Sequence, residues 1–533
     1  MAFALHTYAG IIKNDSIIGT LAIYTVDNSD KKKFYKNNVS RWNAREMTDI
    51  IQTQIVDDVR KTFNPDWNRR GLWNRSYSES RVPEVPTMLL EMLSHQNFAD
   101  MKYGLDPRFR FTVSRAIYKG MLRYISLANE QDYVVQPLPV EAFSTRFVSD
   151  SLVELSWQAV EDKLEPTATP DSYIVYTRID DGGFDNGELV KTTKFTKTIT
   201  SGKIYSFKVE AINSGGKSFP SEILSIYKAN NNKPTVLIIN GFNRISGPKA
   251  FTQGSNIAGF NTTYDAGVPY LYDISFTGNQ NEFRRSKPYI SDANPGHGAS
   301  NTDFEDKEIA GNSFDYPFLH GKAIKAAGHS FVSTSRASVE QGKIKLTDYR
   351  IVDLILGKER QIINPLDSSK RDFKVFTPDL RKSIENFAKS GGNLFISGAN
   401  IVSDLVIADN STNFERNFIE NVLKIKWHAD KINNLSKVEI ISSPIKHFHK
   451  QDFTFHAKPN KDSYFVEAPD VIIPASNKAH KIGEYSESRM SAGIAYKGKY
   501  GICALGFPFE TIKEEDEREK LMKSILHFFM EGK

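Results

Sequence analysis

The spacing of apolar residues changes character along this chain, and each change marks a different kind of element. Near the start, two short apolar segments, AFALH and IIGTLAIYTV, flank the turn-rich stretch GIIKNDS. The second is continuous and β-branched, the pattern of a buried strand. Over residues 40–63 the period becomes helical. Met47, Ile51, Ile55, Val59 and Phe63 fall every four residues on one face, with acids and bases opposite. A Trp/Arg/Asn-rich loop, NPDWNRRGLWNRSYSES, leads into VPEVPTMLLEML, where residues 87–90 predict a short buried strand entered through prolines. Asp106-Pro107 supplies an N-cap and an N1 proline for a helix carrying Val113, Ile117, Met121 and Ile125 on one stripe. Strands alternating with helices predict an α/β layer domain over residues 1–130.

Residues 131–229 follow a period of two. QPLPVEAF, SLVELSW, DSYIVYTRI, KTTKFTKTI, KIYSFKVEAIN and SEILSIY are short alternating segments punctuated by Pro, Gly, Asp and Asn, which predicts a β-sandwich. A linker, YKANNNKP, precedes a third region, 230–533, where TVLIING, SFVSTS and YRIVDLILG read as strands. The helix DLRKSIENFAKS ends at Gly391-Gly392, a C-cap, and feeds the strand NLFISGA. KYGICALGFPFE leads into a terminal helix with Leu521, Ile525, Phe528 and Phe529 on its core side. This predicts a doubly wound α/β domain with a polar insertion around 425–490.

Composition narrows the function classes. The chain has 533 residues, enough for about three domains. Its 69 Lys+Arg against 64 Asp+Glu leave a thinly spread +5, which argues against a dedicated nucleic-acid binder. The single Cys503 excludes an internal disulfide framework and a cysteine-based zinc cluster. No window is long and apolar enough to predict a membrane span. MAFALH carries no signal-peptide pattern, so the chain reads either as cytoplasmic or as beginning downstream of its natural N-terminus.

Polar residues at strand ends are the first candidates for chemistry in α/β domains. His6 ends AFAL and Glu91 ends TMLL. A histidine there suits zinc, and a carboxylate there suits proton transfer beside a metal-bound water; the alternative is two ordinary rim residues. In the third region, Ser397-Gly398-Ala399-Asn400 follows a strand, Cys503 lies inside an apolar strand as a buried thiol, and Asp353 and Glu510 either cap helices or line a crevice. His447, His449 and His456 sit among Lys446, Lys450 and Lys458 and read as a solvated basic loop.

Three resemblances attach to these residues. Trp157, Tyr173 with Tyr176, and Tyr205-x-Phe207-x-Val209 resemble the fibronectin type III pattern, with Tyr205 at its tyrosine corner, which implies a spacer or docking module. The stretch from Val85 to Ile125 resembles the C-terminal part of zinc-dependent N-acetylmuramoyl-L-alanine amidases of the amidase-3 type, through Pro86, Leu89, Glu91, Ser94 and Asn97. FALHTYAG is similar to that family's last zinc-histidine segment at His6 and Ala9, although Ala4 and Tyr8 depart from it. The NRRG around Gly71 resembles its "RG". The amidase resemblance implies hydrolysis of the amide between the lactyl group of muramic acid and L-Ala, with His6 binding zinc and Glu91 as general acid/base. It also implies two further zinc ligands upstream of His6, where only five residues stand. The chain is therefore expected to start inside such a domain and to be inactive by itself. GGNLFISGAN and ALGFPFET resemble glutamine-amidotransferase-like α/β domains, with serine at the turn where catalytic members carry cysteine. The three-part order resembles secreted proteins of Bacteroidetes-type bacteria, some labelled xanthan lyase. It implies a secreted, periplasmic or cell-surface location and peptidoglycan or another surface polysaccharide as partner. The alternative is a non-catalytic surface scaffold binding carbohydrate or protein.

Overall fold

The helix predicted over residues 40–63 forms as α1 (Trp42–Thr62), and the five residues of its stripe are all buried. The computed structural model describes residues 1–8, 16–26, 31–268, 315–406, 413–428, 432–441, 444–458, 460 and 463–531, so Ala9 lies outside the described residues. They divide into two units. Unit 1 is Met1–Val135 with Ile245–Glu308 and Ile363–Lys370; unit 2 is Gln136–Arg244 with Ile309–Ile362 and Arg371–Lys533.

Unit 1 is built on a sheet of β1 (Ala2–Tyr8), β2 (Thr20–Tyr24), β3 (Arg69–Asn74) and β4 (Thr87–Ser94), in the order β1-β4-β2-β3. β1 runs parallel to β4 and β2 parallel to β3, while β2 and β4 are antiparallel, so α1 is the crossover that makes β2 and β3 parallel. β3 falls where the sequence predicts a loop. Its alternation of exposed and half-buried residues carries little apolar signal, and its pairing with β2 decides its conformation. Successive residues of a strand face opposite ways. Ala22, Met88, Leu90 and Met92 pack into the core with α1, α2 (Phe98–Gly104) and α3 (Pro107–Ala128), whereas Leu21, Ile23 and Leu89 make a small separate cluster with Ala4 on the opposite face. Trp67 anchors the larger core, its indole N–H donating to Thr20 Oγ1 at 2.8 Å.

α3 starts as predicted, with Asp106 Oδ1 accepting from Arg108 N at 2.9 Å and proline at N1. Its buried face differs from the predicted stripe. Ile125 is exposed, and Phe109, Ala116, Lys119, Gly120 and Tyr124 are buried with Val113. The cause is a close helix contact at Gly120, where a Cβ would stand 2.8 Å from Ile51 Cα of α1. That approach turns Lys119 into the interface, where it meets Asp58 of α1.

In unit 2 the alternating segments form antiparallel strands. β5 (Glu141–Phe147), β6 (Leu152–Gln158) and β8 (Lys194–Thr198) pair in one set. β7 (Ser172–Ile179), β9 (Ile204–Asn213) and β10 (Leu224–Tyr227) pair in the other. Trp157 packs between Phe143 and Tyr173, with ring centroids at 6.4 and 5.4 Å. Thr200 N donates to Tyr205 Oη at 3.1 Å, the backbone tie of a tyrosine corner.

The rest of unit 2 centres on β11 (Val236–Asn240), α4 (Tyr316–Ala326), β12 (Phe331–Ser335), β13 (Ile351–Gly357), α5 (Pro378–Lys389), β14 (Asn393–Gly398), β15 (Gly501–Leu505) and α6 (Glu515–Met530). The five strands are parallel in the order β12-β11-β13-β14-β15, a doubly wound arrangement whose strand order reverses at β11 and β13. α5 packs Leu380, Ile384 and Phe387 with Val332, Val352 and Leu354 on one face. Phe331, which points the other way, meets Gly321 of α4, where a Cβ would lie 2.2 Å from its ring. The region around 425–490, expected as a polar insertion, extends the sheet instead. Antiparallel strands Ser491–Lys497, Ala479–Tyr485, Lys437–Ile440 and Gln451–Thr454 follow β15 in turn.

The sandwich and the parallel sheet share one hydrophobic core despite the YKANNNKP segment between them. Polar side chains join them: Thr145 Oγ1 donates to Ser333 O at 2.9 Å, and Ser225 N donates to Ser333 Oγ at 2.7 Å. Among the described residues, no helix is long and apolar enough to cross a membrane.

Candidate functional site

β1 and β4 run side by side, and His6 is the register partner of Glu91. The register shifts between His6 and Tyr8, which sets Tyr8 opposite Ser94. β1 is an edge strand with His6 exposed, whereas β4 is buried along its length except at Glu91, which is half-buried. Glu91 Oε2 is shut off from solvent and has no hydrogen-bond partner among the described residues. Burial raises the pKa of this carboxyl above the usual carboxylate value, and the charge of Arg70, then that of His6, act against the rise.

β3 brings Arg70 to the same end of the sheet. Two steps on β2, Thr20 to Ala22, face three on β3, Arg69 to Leu72, so β3 carries a bulge, a device that re-aims side chains. Arg69 reaches Asp49 and Gln52 of α1, and Leu72 packs on the α1 core. Arg70 turns instead to Tyr8 and Trp73, its guanidinium carbon 4.8 and 5.7 Å from their ring centroids. Arg70 Nη1 is buried without a hydrogen-bond partner among the described residues.

The other residues of the amidase-like pattern hold the backbone. Asn97 Oδ1 caps the short helix Phe98–Gly104 through Ala99 N and Asp100 N. Asp100 accepts from Ile18 N and Ser94 N, both at 2.8 Å, and burial lifts its pKa to about 6. Leu89 is buried in the small cluster, and Pro86 O accepts from Ala2 N at 2.8 Å, seating β1 beside β4. Asp100 carries no weight in the sequence pattern, and Arg70 enters it only through NRRG. The RRG tripeptide is the signal that points to Arg70; nothing local marks Asp100.

The donor set does not fit the zinc site that the resemblance implies. His6 and Glu91 supply one imidazole and one carboxylate, and His95 Nδ1 lies 3.0 Å from Thr7 Oγ1. Among the described residues, no group of three His, Cys, Asp or Glu side chains could hold a metal ion, whereas a catalytic zinc takes three protein ligands. In Arg70→Ala the pKa of Glu91, followed by carboxyl ¹³C shift against pH, should rise further; a fall would show that Arg70 is not its electrostatic partner.

The unit 2 candidates are brought into a different arrangement. Asp353 and Glu510 neither cap helices nor line a crevice; both are bonded to His320 of α4, at 2.8 Å to Nδ1 and 3.3 Å to Nε2. Tyr464 Oη donates to the other oxygen of Glu510 at 2.7 Å. All four members of this cluster are buried, as is Cys503, whose thiol is pushed well above its usual pKa by burial first and by Asp353 second. Ser397 Oγ is buried on β14 with no hydrogen-bond partner among the described residues. His447 pairs with Glu531, 2.7 Å from Nε2. At the strand-order reversal, where open α/β sheets place ligands, side chains of this chain fill the ends of β11 and β13. Glu359 accepts from Asn243 N at 2.9 Å, from Arg244 N at 2.7 Å and from Arg336 Nη1 at 3.4 Å, and burial lifts its pKa to about 7. Lys358 pairs with Glu467 at 2.7 Å.

No protein-family model matches the chain, and no curated protein sequence matches it. Among solved structures, the N-acetylmuramoyl-L-alanine amidase from Clostridium difficile 630 is similar over 23% of this chain and 56% of its own, at 17% identity and a TM-score of 0.19. The amidase AmiC2 of Nostoc punctiforme is similar over 24% of this chain and 58% of its own, at 14% identity and a TM-score of 0.19. The twitchin kinase region from C. elegans is similar over 18% of each chain, at 22% identity and a TM-score of 0.17. The chain thus spans less than two thirds of each of these proteins.

Proposed function

We propose that unit 1 is an amide-hydrolase domain of the N-acetylmuramoyl-L-alanine amidase kind, directed at the lactyl–L-Ala amide of peptidoglycan, with Glu91 as its proton carrier. The observation that carries this reading is a half-buried carboxylate of raised pKa, one oxygen unpartnered among the described residues, beside a histidine on the neighbouring parallel strand. Such a carboxylate takes a proton from the attacking water as the C–O bond forms and returns it to the amine nitrogen as the C–N bond breaks. The amidase-like sequence pattern around Pro86, Leu89 and Glu91 supplies the substrate class.

With one imidazole and one carboxylate at the site, this chain is expected to hold its substrate without turning it over. In a pull-down on purified sacculi the chain should be retained, and stem-peptide release should stay at the blank level with added Zn²⁺. EDTA-sensitive release by the purified chain would overturn the second half of the reading; failure to bind either sacculi or muramyl dipeptide would overturn the first.

Unit 2 supports a non-catalytic role as a scaffold that presents unit 1 to a surface carbohydrate or protein. Its lone thiol is buried and held protonated, and its strand-end position is filled by the Glu359 and Lys358 ion pairs.

A further inference from the structure

Two buried polar atoms at the end of the unit 1 sheet have no hydrogen-bond partner among the described residues: Arg70 Nη1, a donor, and Glu91 Oε2, an acceptor. Buried polar groups are almost always paired, because an unmet donor or acceptor out of water is costly, and more so when charged. The pairing that would satisfy both at once, a salt bridge between them, is not made. Glu91 is fixed by its place in β4 opposite His6, and Arg70 is held by Tyr8 and Trp73, with guanidinium-to-ring distances of 4.8 and 5.7 Å. The β3 bulge sends Arg69 to α1 and leaves Arg70 on the side of Tyr8. An unmet donor and an unmet acceptor held apart are the complement of a group with one acceptor and one donor on adjacent atoms. A peptide amide is that group: its carbonyl oxygen accepts and its N–H donates.

We propose that Arg70 and Glu91 together bind one peptide amide of the substrate, its carbonyl oxygen on Arg70 Nη1 and its N–H on Glu91 Oε2. This assigns Arg70 a direct substrate contact, and it rests on the reading of unit 1 as an amide hydrolase domain. Arg70 then faces the carbonyl oxygen, where negative charge develops when water adds, while Glu91 faces the nitrogen that must be protonated. Trp73, partly exposed beside Arg70, offers a flat apolar face next to the same position.

The test is calorimetric binding of muramyl dipeptide, and of its analogue with an ester oxygen in place of the lactyl–alanine N–H, to the full chain. A hydrogen bond to a charged group predicts that Arg70→Ala and Glu91→Ala each weaken muramyl dipeptide by about tenfold or more. The ester keeps the carbonyl and lacks the N–H, so its affinity should remain sensitive to Arg70→Ala and become insensitive to Glu91→Ala. Arg70→Lys, which keeps the charge, checks that any loss in Arg70→Ala is not a folding defect, together with an unchanged thermal transition. Unaltered binding in Arg70→Ala, or equal sensitivity of both ligands to Glu91→Ala, would overturn this assignment while leaving the function intact. Failure of the wild-type chain to bind muramyl dipeptide and N-acetyl-L-Ala-D-Glu alike would remove both.

Discussion

His320→Leu should destabilise unit 2 by about 3–5 kcal/mol near neutral pH, the range for a buried ion cluster that loses one partner. Asp353 and Glu510 sit on the two ring nitrogens, at 2.8 and 3.3 Å, and only an imidazolium can donate from both. Burial alone would lower the histidine pKa; the two carboxylates outweigh it and carry it to about 9. A folded pKa of about 9 against about 6.5 unfolded contributes on the order of 3 kcal/mol. Because the folded value is the higher one, that contribution is complete below pH 6.5 and is lost as pH rises through 9. Urea unfolding at pH 6 and at pH 10 reads it directly. The wild-type chain should lose stability between the two, and the gap between wild type and His320→Leu should narrow at the higher pH. A gap of the same size at both would mean that the ring is held neutral and that its role is packing against Phe509, 4.7 Å away.

His320 also marks the limit of what the sequence discloses. Elements with a strong period were legible: the stripe from Met47 to Phe63, the alternation of KIYSFKVEAIN, and the terminal helix with Leu521, Ile525, Phe528 and Phe529 all bury the residues expected. The Asp106-Pro107 start and the Gly391 stop were legible because capping chemistry is local; Gly391 adopts φ +87°. Three things were not. β3 is an edge strand, RRGLWN, without a periodic apolar pattern, and its conformation comes from pairing with β2. The region around 425–490 reads as polar because the outer strands of an extended sheet carry solvated residues. Asp353 and Glu510 lie 33 and 190 residues in sequence from their shared partner His320, and no spacing rule reaches that far. At the candidate site, His6 and Glu91 were found, though not as the strand ends expected: β1 and β4 run on to Tyr8 and Ser94. Arg70 was not, because a bulge, which leaves no mark on hydrophobic periodicity, decides where that side chain points.

The second large effect belongs to the helix pair that carries the candidate site. Lys119→Met should cost unit 1 about 3–5 kcal/mol at pH 7 by leaving Asp58 buried without its cation. The two side chains are 1% and 2% exposed and 2.6 Å apart, with Gln54 Nε2 donating to the other carboxylate oxygen at 3.0 Å and Arg123 holding Gln54 at 2.8 Å. Burial already raises the pKa of Asp58, and Lys119 is the main force opposing it, so removing the lysine drives the pKa higher still. A carboxyl whose folded pKa is raised favours the folded state at low pH, so the penalty in Lys119→Met should shrink as pH falls towards 5. Lys119→Met combined with Asp58→Leu removes both charges and fills the space, and buried pairs replaced in this way are often neutral or stabilising. The double variant should therefore recover most of the loss and show none of the pH dependence. If it is as unstable as the two single changes added together, the contact at Gly120 and Ile51 tolerates no apolar replacement, and the pair is needed for shape rather than charge. Either result bears on the site, because α1 connects β2 to β3. A helix pair that shifts moves the bulge that aims Arg70, and muramyl dipeptide binding in Lys119→Met should weaken with it while remaining intact in the double variant.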